Sequence, residues 1–261
     1  MRITLTLVDS GIGMLSTAAA LRAARPDADL ILSMDPDHMP WGPRRPDDVI
    51  GRALAGARAT ADARPDAIVV PCNTASVHGL DALRAEFEPD VPVIGTVPPI
   101  KPATEHGGPI AVWSTVATTR SHYQADLVAR FAAGHSVTPV ACVGLAEAVE
   151  SADPAAVADA VGYAAERTPA DVTAVVLGCT HYDLVEDEIS AALGHRAELF
   201  SAADAVAAQT LRRLGVAPTP DAARTGTVSV LASGRPSTLP DAALSYPAGA
   251  ALALPPVRTG V

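Results

Sequence analysis

The sequence predicts an α/β fold of two similar domains, each a mostly parallel sheet flanked by helices, with the active site in the interdomain cleft. Three observations lead there. Short β-branched apolar runs alternate with longer Ala-rich amphipathic stretches, which is the pattern of βαβ units. The alternation starts over near residue 109. Two of the apolar runs also end in similar polar loops headed by a thiol: Ile68-Val-Val-Pro-Cys72-Asn73-Thr74-Ala75-Ser76 and Ala174-Val-Val-Leu-Gly-Cys179-Thr180-His181-Tyr182.

Taken in order, Ile3–Val8 reads as a strand and Leu15–Ala24 as a helix. Asp29–Ser33 is a strand ending in the Pro-rich loop 35–46, and 47–63 is a helix with Asp47 as its expected cap. Ala67–Val70 is a strand, Val77–Glu86 a helix and Val91–Ile94 a strand. In the second series Pro109–Trp113 is a strand, Arg120–Ala132 a helix and Ser136–Cys142 a strand. Pro154–Ala165 follows as a helix, Thr173–Leu177 as a strand, Leu184–Leu193 as a helix and Glu198–Phe200 as a strand. Ala202–Leu214 is a helix and Thr225–Leu231 a last strand. The Pro/Ala/Gly-rich tail from Ala248 is expected to be loosely attached.

Composition narrows the function classes. The chain has 261 residues, enough for one large or two small domains, and is 49% hydrophobic but only 3% aromatic. With a net charge of −10, few rings for stacking and no basic stripe, it is a poor nucleic-acid binder and a poor match for an anionic membrane surface. Three cysteines at unrelated spacings argue against a disulfide framework, and no Cys/His cluster points to zinc. The opening nine residues are too short and too soon charged for a signal peptide, and no apolar run approaches a membrane span. A soluble cytoplasmic protein with reduced thiols is expected.

A quasi-repeat is legible. The loop Asp9-Ser10-Gly11 and the loop Ser114-Thr115 each follow a strand, and each stands at nearly the same separation from a later thiol, Cys72 or Cys179. Ligands of open α/β sheets bind beyond the carboxyl ends of strands, so both thiols are expected to line one cleft. Free cysteine is usually a buried filler. That reading suits Cys142, within an apolar run, but fits poorly for Cys72 and Cys179 among Asn, Thr, Ser and His. Two thiols on opposite sides of a bound carbon suit proton removal from one face and delivery to the other. Because an ordinary thiol pKa is about 8.5, the one acting as base needs tuning, by loop amides and His181 on one side. Asp9 is placed to orient or shuttle protons on the other; its plainer reading is a helix cap. Gly11-Ile12-Gly13 is a weak phosphate-loop signal, since Ser16 stands at the third glycine position and Asp9 adds negative charge. The remaining histidines (His38, His78, His106, His122, His135 and His195) read as solvated. Pro40-Trp41-Gly42 reads either as a substrate-facing loop or as a packed turn.

On these segments the chain resembles the cofactor-independent aspartate/glutamate racemase superfamily, and glutamate racemases within it. The resemblance rests on Val8-Asp-Ser-Gly-Ile-Gly13, Pro40-Trp-Gly42, Cys72-Asn-Thr-Ala-Ser76, Val93-Ile-Gly-Thr-Val-Pro98, the stretch of Thr118, Ser121 and Tyr123, Glu150, and Gly178-Cys-Thr-His-Tyr182. It implies two pseudosymmetric domains, 1–97 with 208–247 and 98–207, leaving 248–261 as the tail. It implies proton donors and acceptors at Cys72 and Cys179, assisted by Asp9 and His181, with Glu150 supporting. Ser10, Asn73, Thr74, Thr118 and Thr180 would hold the amino and carboxylate groups of the substrate, and amides around Pro40, Trp41 and Gly42 the distal carboxylate. No cofactor or metal is expected. The resemblance further implies a small dicarboxylic amino acid as partner, leaves a homodimer open, and gives D-glutamate for peptidoglycan or a secondary metabolite as the product. Three positions depart from the family pattern: Met14 replaces a glycine, Trp41 a tyrosine and Ser201 an aspartate.

The expected activity is interconversion of L- and D-glutamate. The alternatives are an aspartate or hydantoin racemase, a dicarboxylate isomerase or decarboxylase, a non-catalytic amino-acid-binding protein, or a nucleotide binder built on Gly11-Ile12-Gly13.

Overall fold

The computed structural model describes residues 2–255. By its internal contacts the chain divides into two compact units, one made of the residues up to Thr96 together with those from Ala203 onward, the other of Val97–Ala202. The strands in chain order are β1 Thr4–Val8, β2 Asp29–Met34, β3 Ala67–Val70, β4 Val93–Gly95, β5 Ile110–Ser114, β6 Val137–Ala141, β7 Ala174–Leu177, β8 Glu198–Phe200, β9 Val228–Ala232 and β10 Arg235–Ser237.

The first unit holds a sheet of order β10-β9-β2-β1-β3-β4, and the second a sheet of order β6-β5-β7-β8. All pairings are parallel except the β9–β10 hairpin. The quasi-repeat has a topological basis. In each unit the first strand sits between the second and the third, and the fourth extends beyond the third. Thus β1 corresponds to β5 and β3 to β7, and each thiol loop leaves an equivalent strand. Parallel strands covered on both faces read as continuous apolar runs. Accordingly β3 and β7 are buried at every residue.

Several elements differ from their sequence boundaries. The helix expected at 47–63 is Pro46–Arg58 followed by a short 3-10 turn, Ala61–Ala63; its N-cap is Arg45, and Asp47 is not a cap. Asp47 and Asp48 instead lie in the first turn, where negative charge favours the helix dipole. The helix expected from Val77 starts directly after Cys72, as Asn73–His78, and resumes as Leu80–Phe87. Two helices, Ile100–His106 and Leu145–Ser151, were not legible in the pattern. Nor was the β9–β10 turn, where Ser233 and Gly234 have φ of 46° and 78°. Positive φ at both turn residues matches the right-handed twist of paired strands.

The tail expected to be loose from Ala248 instead continues helix Pro247–Ala253, in which Gly249 and Leu252 are buried. A Cβ on Gly249 would lie 1.9 Å from the Ala243 carbonyl oxygen, so this packing is closed to any larger residue. Residues 256–261 of that expectation lie outside the described residues. No described helix is long and apolar enough to cross a membrane.

Candidate active site

In the first unit the site residues leave the carboxyl ends of adjacent strands, β1 and β3, paired through Leu7 and Val69. Asp9, just beyond β1, is 1% exposed. Its Oδ1 accepts the Ser10 amide at 2.6 Å and the Ser10 hydroxyl at 3.3 Å. The N-cap position of the following 3-10 turn, Ile12–Met14, is Gly11. Met14 has φ −63° and ψ −14°, an ordinary right-handed conformation that needs no glycine, and its side chain is fully buried.

Cys72 is the N-cap residue of helix Asn73–His78 and is nearly buried in a cluster with Val8, Trp41, Val70 and Ala75. The helix start leaves first-turn amides without intrahelical partners. Asn73 is also buried, and its Oδ1 has no hydrogen-bond partner. Leaving such an acceptor unpaired costs about 1–3 kcal/mol, so this atom stands ready for a donor. Thr74 is half-buried beside it. Trp41 is 1% exposed; its ring packs in the Cys72 cluster and its indole N–H donates to Asp35 Oδ2 at 3.1 Å. Of the two readings of this loop, the Trp41 side chain takes the packed one, while Pro40 and Gly42 are half-buried.

In the second unit Cys179 follows β7 and is partly exposed. The loop is held tight against β5: the Gly178 amide donates to the Trp113 carbonyl at 2.7 Å. A Cβ at Gly178 would come within 2.8 Å of the same oxygen and 3.1 Å of the Ser114 Cβ. Backbone cannot yield as a side chain would. Gly178→Ala is therefore expected to displace Cys179 and to destabilise the protein by about 1–3 kcal/mol, read as a lower urea midpoint together with lost turnover.

His181 is 3% exposed and lies between two partners. Its Nδ1 is 3.8 Å from Cys179 Sγ, and its Nε2 is 2.8 Å from Glu150 Oε2. Glu150 comes from helix Leu145–Ser151. Burial opposes the imidazolium, but the hydrogen bonds to Cys179 and Glu150 outweigh it and hold the His181 pKa well above its ordinary value. An imidazolium beside Sγ is a favourable neighbour for a negative sulfur. Thr180 is buried next to it. Thr118 is half-buried in the short helix Val116–Thr119, and its amide donates to Thr115 Oγ1 at 3.3 Å. Ser201 donates its hydroxyl to Asp183 at 2.8 Å.

Cys142 lies just beyond β6 and is buried; burial pushes its thiol pKa up, as it does that of the Tyr182 phenol. Neither group serves as a base near neutrality, which matches the filler reading of Cys142. Two histidines expected to be solvated have carboxylate neighbours: His38 Nδ1 is 2.8 Å from Asp35, and His106 Nδ1 is 3.1 Å from Glu198. Asp35, which joins several parts of the first unit, was not singled out by the sequence; its place at the head of a Pro-rich loop was the sole signal.

A profile of the Asp/Glu/hydantoin racemase family matches residues 11–210. A glutamate racemase of Sphingopyxis alaskensis is 37% identical over 210 residues, 76% of this chain and 77% of the relative. One from Herpetosiphon aurantiacus is 34% identical over 238 residues, 88% of this chain and 92% of the relative. Among solved structures, the Escherichia coli glutamate racemase in complex with L-glutamate and the activator UDP-MurNAc-Ala superposes with a TM-score of 0.77 at 29% identity. The match covers 90% of this chain and 91% of that one. With a family profile matching most of its length, and with both thiol loops on equivalent strands, the chain belongs to the Asp/Glu/hydantoin racemase family.

Proposed function

We propose that this protein is a cofactor-independent racemase interconverting L- and D-glutamate, with Cys72 and Cys179 acting on opposite faces of one α-carbon. The observation that carries the reading is the equivalence of the two thiol loops: each follows the equivalent strand of its sheet, and the Cys179 sulfur has His181 Nδ1 at 3.8 Å. The relatives at 34–37% identity are glutamate racemases, which selects the amino acid.

In one direction the Cys179 sulfur takes the α-proton: the Cα–H bond breaks, an S–H bond forms, and the electron pair moves into the carboxylate as an enolate. The Cys72 thiol then gives its proton to the opposite face. The return direction exchanges the roles. His181, held by Glu150, serves the Cys179 side, and Asp9 serves the Cys72 side. The unpaired Asn73 Oδ1 suits the substrate ammonium group. Hydroxyls of Ser10, Thr74, Thr118 and Thr180, with amides of the helix start at Asn73, suit the α-carboxylate and the charge that grows on it in the transition state. The Pro40–Gly42 loop holds the distal carboxylate. The product serves cell-wall or secondary-metabolite synthesis in the cytoplasm.

A second reading, a racemase for another acid such as aspartate, is motivated by Trp41, which stands where a tyrosine is usual and shares a buried cluster with Cys72. One experiment separates the two. In heavy water, with the protein dialysed against chelator and no pyridoxal phosphate added, L-glutamate is expected to exchange its α-proton for deuterium and to yield D-glutamate. Exchange with L-aspartate alone selects the second reading. Exchange with neither acid sinks both.

A further inference from the structure

At the carboxyl end of β2, Asp35 stands where three segments of the first unit meet. Its amide donates to the Ser10 carbonyl at 3.2 Å, tying it to the loop that carries Asp9. Its carboxylate receives the Trp41 indole N–H at 3.1 Å and lies 2.8 Å from His38 Nδ1 and 3.4 Å from Arg52 Nη1. The third segment is the β9–β10 turn: the Ser233 hydroxyl donates to Asp35 Oδ1 at 2.7 Å. The same hydroxyl accepts the Asp37 amide at 3.3 Å, and the Ser233 amide donates to the Met34 carbonyl at 2.8 Å. A cavity of about 170 Å³ lies against this junction, with Asp9, Trp41, Asp35, Arg52 and Ser233 among its walls.

This arrangement is more than general packing. A tryptophan has one polar atom, and a buried one needs a partner. Here that partner is a carboxylate whose other oxygen, Oδ1, is shared by His38 and by Ser233 of the hairpin. The hairpin lies wholly beyond residue 210, where the match to the family profile ends. Ser233 adopts the positive φ that brings its side chain back over β2, a backbone conformation uncommon for a non-glycine residue. Burial disfavours the Asp35 carboxylate, yet the bonds from His38, Ser233 and Trp41 hold its pKa below the ordinary value. It is thus a charged acceptor near neutral pH.

We infer that Asp35 and Ser233 are positioning residues: the C-terminal hairpin, acting through Ser233 and Asp35, fixes the Trp41 ring and with it the Pro40–Gly42 loop that grips the substrate. This inference rests on the function proposed above for its kinetic arm, but not for its spectroscopic one. Neither residue touches the reacting atoms, so their effect falls on binding rather than on proton transfer.

The test compares wild type with Ser233→Ala, Ser233→Thr and Asp35→Asn as full-length proteins. A hydrogen bond to a charged group is worth enough to expect a KM for glutamate raised about 5- to 50-fold by Ser233→Ala, with kcat within about threefold. Ser233→Thr, which keeps the hydroxyl, should restore KM. Asp35→Asn should raise KM at least as far. In parallel, acrylamide quenching should report a more accessible tryptophan in Ser233→Ala; Trp113, buried in the other unit, supplies a constant background. Unchanged KM and unchanged quenching in Ser233→Ala would overturn the inference. So would equal losses in Ser233→Ala and Ser233→Thr, or a lower melting temperature with KM and quenching unmoved. If wild type itself leaves glutamate untouched, the functional reading fails, and quenching alone decides whether the hairpin sets Trp41.

Discussion

Cys72→Ser and Cys179→Ser are each expected to lose racemisation in both directions by about 10²- to 10⁴-fold, the range that a positioned acid or base contributes. They should nevertheless keep opposite partial activities. Serine places a hydroxyl where the thiol stood, and a hydroxyl is a far weaker base near neutrality. In Cys72→Ser, the enantiomer whose α-proton faces Cys179 can still be deprotonated, while its mirror image cannot. Cys179→Ser reverses the preference. Elimination of halide from each enantiomer of a β-chloro amino acid, followed separately, reads this directly because it needs only the first proton transfer. Loss of the same enantiomer in both variants would refute the two-thiol scheme. Full racemisation by either variant would refute it equally.

His181→Asn is expected to cost about 10²-fold in kcat, more steeply for the enantiomer deprotonated at Cys179 than for the other. The asymmetry follows from geometry: His181 approaches Cys179 Sγ at 3.8 Å and belongs to the second unit. Stability should change too, with a defined sign. The folded-state pKa of His181 is raised, so its protonated form stabilises the fold fully below about pH 6.5, the unfolded value. That contribution is lost as pH rises through the raised folded pKa. Wild type should therefore lose stability over the range above about 6.5 in which the variant shows a flatter dependence. Glu150→Gln removes the partner of a buried cation and should also destabilise at low pH, where the imidazolium persists. Urea midpoints at several pH values measure both effects. Symmetric kinetic losses in His181→Asn, or parallel pH–stability curves, would remove His181 from its role beside Cys179.

The local sequence determined much of this protein. Parallel strands declare themselves because both faces are buried and every position is apolar, as in Ala67–Val70 and Ala174–Leu177. The thiol loops were legible because small polar residues immediately after such a run have few structural uses, and because the pattern occurs twice at matching places. Sequence could not reach the features that depend on groups far apart along the chain. Glu150 entered through family resemblance alone; that its carboxylate meets His181 depends on a helix, Leu145–Ser151, too short to show a clear period. The helix after Cys72 breaks at Gly79, and Thr180–Val185 forms a 3-10 turn ahead of helix Glu186–Ala192. Trp41 could be read equally as a substrate-facing or a packed residue until tertiary structure placed its ring in the buried cluster that holds Cys72 and its N–H on Asp35. Ser233 meets Asp35 across almost 200 residues of chain, a hydrogen bond with no local signature. Periodicity reports which face of an element is buried; only the folded backbone decides which distant polar atoms meet there.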